Sequence, residues 1–247
     1  MRPKIIDMAA YQLMGRLLGF SADQLMPHQC LLCGTFCLDH GVCATCWRGA
    51  WMISEPLCHH CGRPLPYALP EHLCAACWQA PPVLSMIRAS FVYNSFYRDL
   101  ILHFKHGDGL HLTPILGRFL KRHFVALSRQ DQLVIPVPLQ RRRYLARRYN
   151  QSAELARWLA TKTSYAPHIL VRRHHNISQA GLSRRQRHRN VAGVFSVTAN
   201  GHADLQGRPV LLVDDVMTTG ATLTAAAKTL LAAGSGPVHG LLVARVL

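Results

Sequence analysis

Residues 210–223 read VLLVDDVMTTGATL, and this stretch decides the fold. Val210, Leu211, Leu212 and Val213 run without a polar break, as expected of a parallel strand buried on both faces. Asp214 and Asp215 follow at its carboxyl end. A short loop over 216–222 then carries Thr218, Thr219, Gly220 and Thr222. An Ala- and Leu-rich helix over 221–233 follows, closed by Gly234. Open α/β sheets bind ligands outside the carboxyl ends of their strands. A small-residue loop entering a helix offers N–H groups and hydroxyls to a phosphate, and the helix dipole adds to the attraction. Adjacent acids beside that loop suit a sugar diol or a magnesium ion. A phosphate would repel them, so they must face a different part of the ligand.

The whole chain has 247 residues, about half of them hydrophobic, enough for one large domain or two small ones. Its net charge of +16 is carried mostly by arginine and points to a polyanionic partner: nucleic acid, acidic lipid or a phosphorylated ligand. No apolar run is long enough to span a bilayer. Residues 1–26 place Ile6, Leu13 and Leu17 on one helical face, with Asp7 and Arg16 interrupting the apolar segment. This reads as an amphipathic helix rather than a signal peptide. The expectation is a cytoplasmic protein without stable membrane insertion.

Nine cysteines form four Cys-x-x-Cys pairs plus Cys37. The pairs are Cys30 with Cys33, Cys43 with Cys46, Cys58 with Cys61, and Cys74 with Cys77. Two intervening residues let both thiolates of a tight knuckle reach one metal, and two knuckles complete a tetrahedral site for which zinc is the default ion. Consecutive and interleaved pairings of the knuckles are both open at this level, and iron–sulfur ligation uses the same donors. Four thiolates leave no open position, so the two zinc sites read as structural. A cysteine-rich module over 27–80 is expected, ended by Pro81-Pro82, with a second domain over 81–247.

In that second domain, strands are expected near 83–93, 133–138, 169–171, 194–197 and 238–246. Helices are expected over 96–106 and after Pro114. Strand and helix alternate, which predicts an α/β fold: a mostly parallel sheet with helices on both faces. Residues 140–149, QRRRYLARRY, read as a loop after a strand end, with Asn150 capping the next helix. There Arg141, Arg143 and Arg147 can grip a pyrophosphate through charge-assisted hydrogen bonds. From 118 to 190 there are seventeen Lys/Arg against only Asp131 and Glu154. Arg142, Arg148, Arg184, Arg185, Arg187 and Arg189 are the candidates for contact with DNA, with a steep salt dependence. Tyr144 and Tyr149 are placed to stack on bases if exposed, while Trp158 reads as core.

The stretch at 210–223 resembles the signature of the type I phosphoribosyltransferases, which bind 5-phosphoribosyl 1-pyrophosphate (PRPP). The chain as a whole resembles the ComF/GntX family, on the cysteine module, on Pro136-Val-Pro138, and on Arg147-Arg-Tyr-Asn-Gln151. Gln179, Leu182-Ser183, Arg187, Asn190-Val191 and Phe195 match a further family pattern in order. Arg148 stands where family members carry glycine. The resemblance implies a type I phosphoribosyltransferase-like domain behind a zinc-ribbon module. It implies that Asp214 and Asp215 hold the ribose hydroxyls. Val216, Met217, Thr218, Thr219, Gly220, Ala221 and Thr222 would cradle the 5′-phosphate, and Mg²⁺ would accompany PRPP. It further implies a role in DNA utilisation and competence, handling imported single-stranded DNA with a competence helicase or strand-loading protein. The alternative is an enzyme transferring phosphoribosyl to an acceptor that the residues do not name.

Overall fold

The apolar run at 210–213 is fully buried and pairs with a strand on either side. The computed structural model describes residues 29–37, 41–68, 71–105, 109–160, 164–173 and 193–247. The helix expected over 1–26 lies outside the described residues. Ala44–Trp47 (α1) and Ala75–Gln79 (α2) are single turns within the cysteine segment. Then come β1 (Met86–Val92), α3 (Ser95–Lys105), a 3₁₀ turn at Gly109–Leu112, and α4 (Thr113–Leu127) with Pro114 in its first turn. β2 (Leu133–Pro136), α5 (Arg141–Arg147), α6 (Gln151–Leu159) and β3 (Leu170–Arg172) follow. The chain ends with β4 (Phe195–Val197), α7 (Ala199–Leu205), β5 (Val210–Met217), α8 (Ala221–Ala232) and β6 (Val238–Arg245).

The main sheet has the order β1-β6-β5-β2 and is parallel throughout. Val210 and Leu212 join Leu223, Ala226, Ala227 and Leu230 of α8 in one core, together with Ile135, Val238 and Leu242. The alternate side chains face α4 and α6, which pack against each other and on the strands. There Ser90 Oγ donates to the Phe119 carbonyl at 3.1 Å. Helices thus cover both faces, as a parallel sheet requires. No helix among the described residues is long and apolar enough to cross a membrane.

Four local expectations are corrected. Residues 140–149 are not a loop: α5 occupies 141–147, ended by Arg148 in the left-handed region at φ 66°. β5 continues through Asp214 to Met217, because those residues still pair with Leu242 to Arg245 of β6. β3 pairs with β4 in a separate antiparallel ribbon, not in the main sheet. The link over 199–208 contains α7, capped by Thr198, whose hydroxyl accepts from Gly201 N–H at 3.0 Å. Trp158 is 37% exposed, yet one face of its indole packs so tightly on Gly117 of α4 that a Cβ there would stand 2.3 Å from the ring.

The chain divides into two compact units after Gly49. The first cysteine set falls in the first unit and the second set in the unit that holds the sheet, a division inside the segment that the cysteine spacing groups together. The two sets are built alike. Gly34 N–H donates to Cys30 O and Gly62 N–H to Cys58 O; Cys30 N–H donates to Thr35 O and Cys58 N–H to Arg63 O. Cys43 N–H points at Cys30 Sγ at 3.3 Å, Cys74 N–H at Cys58 Sγ at 3.4 Å. Each third cysteine opens a short helix. The chain therefore carries one ribbon twice.

Candidate functional site

Asp214 and Asp215 stand on β5 where the strand leaves the sheet's cover. Ser152, near the start of α6, donates its hydroxyl to Asp214 Oδ1 at 2.8 Å, and Asp215 N–H donates to the same oxygen at 2.9 Å. Lys105 Nζ, at the end of α3, lies 2.9 Å from Asp215 Oδ2, with the two side chains only 20% and 13% exposed. Burial pushes the Asp214 carboxyl up to about 7, and the neighbouring Asp215 carboxylate adds to the rise; Ser152, the Asp215 amide and Lys105 act against it. Thr218, Thr219 and Gly220 then turn the chain, with Gly220 left-handed at φ 75°, and α8 begins at Ala221. Thr222 sits in its first turn, beside N–H groups that have no partner within the helix. The strand's extra length leaves only these three residues as loop, so Val216 and Met217 belong to the strand end.

Cations converge on the acids from other elements. Burial lowers the pKa of Arg147 on α5 and of Arg172 on β3. Arg147 is partly held up by the charge of Asp215, Arg172 by that of Asp214, and Arg143 pushes both down. Arg147 also donates to Gln151 Oε1 at 3.3 Å, while the buried Gln151 Nε2 has no partner among the described residues. The expected Asn150 cap is present: its side chain accepts from Ser152 N–H at 3.1 Å, so the cap also places the hydroxyl that meets Asp214. Tyr149 donates its hydroxyl to Phe104 O at 2.5 Å, fixing the arginine turn to the helix end that carries Lys105.

Arg147 thus feels the charge of Asp215, whereas Arg141, Arg142, Arg143 and Arg148 are exposed. Arg184, Arg185, Arg187 and Arg189 lie outside the described residues. Lys105, Ser152 and Arg172 were not singled out in the sequence, because no motif spacing ties three separate elements to one point. Arg148 adopts a left-handed φ at which a Cβ is strained, so this position favours the glycine of the family pattern.

The cysteines form two groups, Cys30, Cys33, Cys43 and Cys46, and Cys58, Cys61, Cys74 and Cys77, with all sulfurs of a group within 4.8 Å of one another. The geometry selects the consecutive pairing. Cys33 and Cys43 sulfurs are 3.7 Å apart, as are those of Cys61 and Cys74. A tetrahedron of Zn–S bonds about 2.3 Å long has sulfurs about 3.8 Å apart, so zinc fits. Burial works to raise the Cys30 and Cys58 thiols, but backbone amides aimed at their sulfurs outweigh it and bring each to about 6. Thiolate, the form that binds metal, is thus favoured at Cys30 and Cys58, whereas burial pushes the Cys46, Cys61 and Cys77 thiols up.

Known proteins share both parts. Residues 21–78 match the family described as Double zinc ribbon domain, and residues 153–242 the Phosphoribosyl transferase domain. Competence protein F of Haemophilus influenzae is 33% identical over 200 residues, 77% of this chain and 84% of that protein. The DNA utilization protein YhgH of Escherichia coli K12 is 31% identical over 234 residues, 90% of this chain and 99% of that protein. This chain belongs to the ComF/GntX family. A more distant ComF/GntX relative is Competence protein ComFC of Bacillus subtilis, 28% identical over 79% of this chain and 80% of its own length. The two cysteine groups of this ComF/GntX chain are structural zinc sites, and its sheet is a phosphoribosyltransferase fold.

Proposed function

We propose that this chain is a DNA-utilisation protein that handles imported single-stranded DNA and whose phosphoribosyltransferase-like domain binds PRPP with Mg²⁺. The observation that carries the PRPP reading is the convergence of Lys105, Arg147 and Arg172 on Asp214 and Asp215, beside a phosphate-type loop at a helix entry. Acids without cations would suit a metal alone, and cations without acids a bare phosphate. The combination suits a ligand with a diol flanked by phosphates. The acids' oxygens are the donors Mg²⁺ prefers. The DNA reading is supported by the names of the relatives and by the excess of arginine over 118–190.

A second reading, phosphoribosyl transfer to an acceptor, is favoured by the strand-loop-helix signature at 210–223. In it the cations stabilise the departing pyrophosphate by preorganised charge. It requires pyrophosphate release that Asp215→Asn abolishes while the fold survives.

Fluorescence anisotropy of labelled single-stranded DNA, at several salt concentrations and with or without PRPP–Mg²⁺, tests the main reading. Binding should weaken with a log–log slope of about −0.7 per phosphate neutralised, and PRPP–Mg²⁺ should change it. Absence of binding at low salt would remove the direct DNA role. Binding of DNA with no calorimetric signal for PRPP would remove the ligand.

A further inference from the structure

The two ribbons share a backbone design but not their surroundings. The knuckle over 58–62 lies against the sheet's β1 edge. Ile87 N–H donates to His60 O at 2.6 Å, Arg88 Nη1 to His59 O at 2.9 Å, His60 Nδ1 meets Ser85 O at 3.0 Å, and the Arg245 guanidinium donates to Cys61 O. The approach is so close that a Cβ on Gly62 would stand 2.3 Å from Ile87 O. At the equivalent Gly34, nothing among the described residues lies within 4 Å. Cys33 and Gly34 are exposed, whereas Cys61 is half-buried and Gly62 buried.

Zinc held by four thiolates carries a net charge of −2. A buried anion of that size needs nearby donors and counter-charge. Arg88 on β1 supplies both. It donates to the carbonyl between Cys58 and Cys61; burial lowers its pKa, and the charges of Glu55, Cys58 and Cys61 work to raise it again. Arg88 of β1 and Arg245 of β6 thus both bind the knuckle from the sheet side, and Arg88 is the one whose charge meets Cys58 and Cys61.

We propose that Arg88 is an outer-sphere partner of the second zinc site, and that zinc at this site is a fixed part of the sheet edge. Metal at Cys58, Cys61, Cys74 and Cys77 rigidifies the knuckle that caps β1, and β1 in turn supplies Arg88, which with Arg245 of β6 offsets the metal–thiolate charge. The two zinc ions therefore differ in lability, although their ligand sets are identical.

The test uses the full zinc-loaded chain and a chromogenic chelator, followed by hydrogen exchange of β1. Zinc should leave the wild type in two phases of equal amplitude. Arg88→Met should speed the slower phase about 10–100-fold, the range found for outer-sphere partners of metal ligands, and leave the faster one unchanged. Arg88→Lys, which keeps the charge and the fold, should fall between. Cys30→Ser should remove the fast phase and leave exchange over 86–92 as it was; Cys58→Ser should remove the slow phase and speed that exchange. A single phase in the wild type, equal acceleration of both phases by Arg88→Met and Arg88→Lys, or unchanged β1 exchange in Cys58→Ser would each overturn the proposal.

Discussion

Single residues carry the sharpest tests. Arg148 sits at φ 66° at the end of α5, where an L-residue costs about 1–2 kcal/mol. Arg148→Gly should therefore raise Tm by about 2–4 °C in a chain of this size, read by a thermal melt. Asp214 titrates near 7 in the folded chain but near its ordinary value when unfolded. Between those values the folded chain holds the extra proton, so Asp214 erodes stability as pH rises from about 4 to 7. Asp214→Asn should melt higher than wild type at pH 8, and the gain should vanish towards pH 4. An equal gain at both pH values would show that charge is not the cause. Lys105 pairs with Asp215 and completes the cation set. Lys105→Met should weaken PRPP binding about tenfold, or about 1.4 kcal/mol, in calorimetry. Unchanged affinity would mean that Lys105 leaves the site when ligand enters.

At the level of elements, the repeated ribbon supplies its own control. Gly34 and Gly62 are both left-handed, at φ 71° and 66°, so alanine pays a similar conformational cost at each. Only at Gly62 does the new methyl run into a strand backbone. Gly62→Ala should lower the melting temperature of the sheet-bearing unit well beyond any effect of Gly34→Ala, in calorimetric scans of the zinc-loaded full chain. Equal effects would mean that the knuckle does not depend on its contact with β1. The arginine segment teaches a similar lesson. Its ten residues contain no proline or glycine, and the run over 141–147 has good helix formers, so a helix was available to it. Its position directly after a strand end made a loop the expected reading. The left-handed turn at Arg148 and the Asn150 cap reconcile the two, ending one short helix and starting another within three residues.

For the whole molecule, charge and fold have separate origins. The net charge of +16 follows from composition, and the salt-dependent DNA binding proposed above depends on it. The parallel sheet was legible because uninterrupted apolar runs such as 210–213 and 133–135 have few alternatives to burial on both faces. The zinc ligands were legible because a knuckle is local: two cysteines three positions apart approach each other without help from the rest of the chain. The acid pair and the short loop that follows it at the helix entry were legible for the same reason, being contiguous. Tertiary structure decided what is not contiguous. It selected the consecutive pairing of the cysteine knuckles, brought Lys105, Ser152, Arg147 and Arg172 to one carboxylate pair from four separate elements, and placed one of two equivalent ribbons on the sheet edge. Side chains far apart in the chain meet only once strand order fixes which helix ends lie together. Sequence spacing carries no trace of that order.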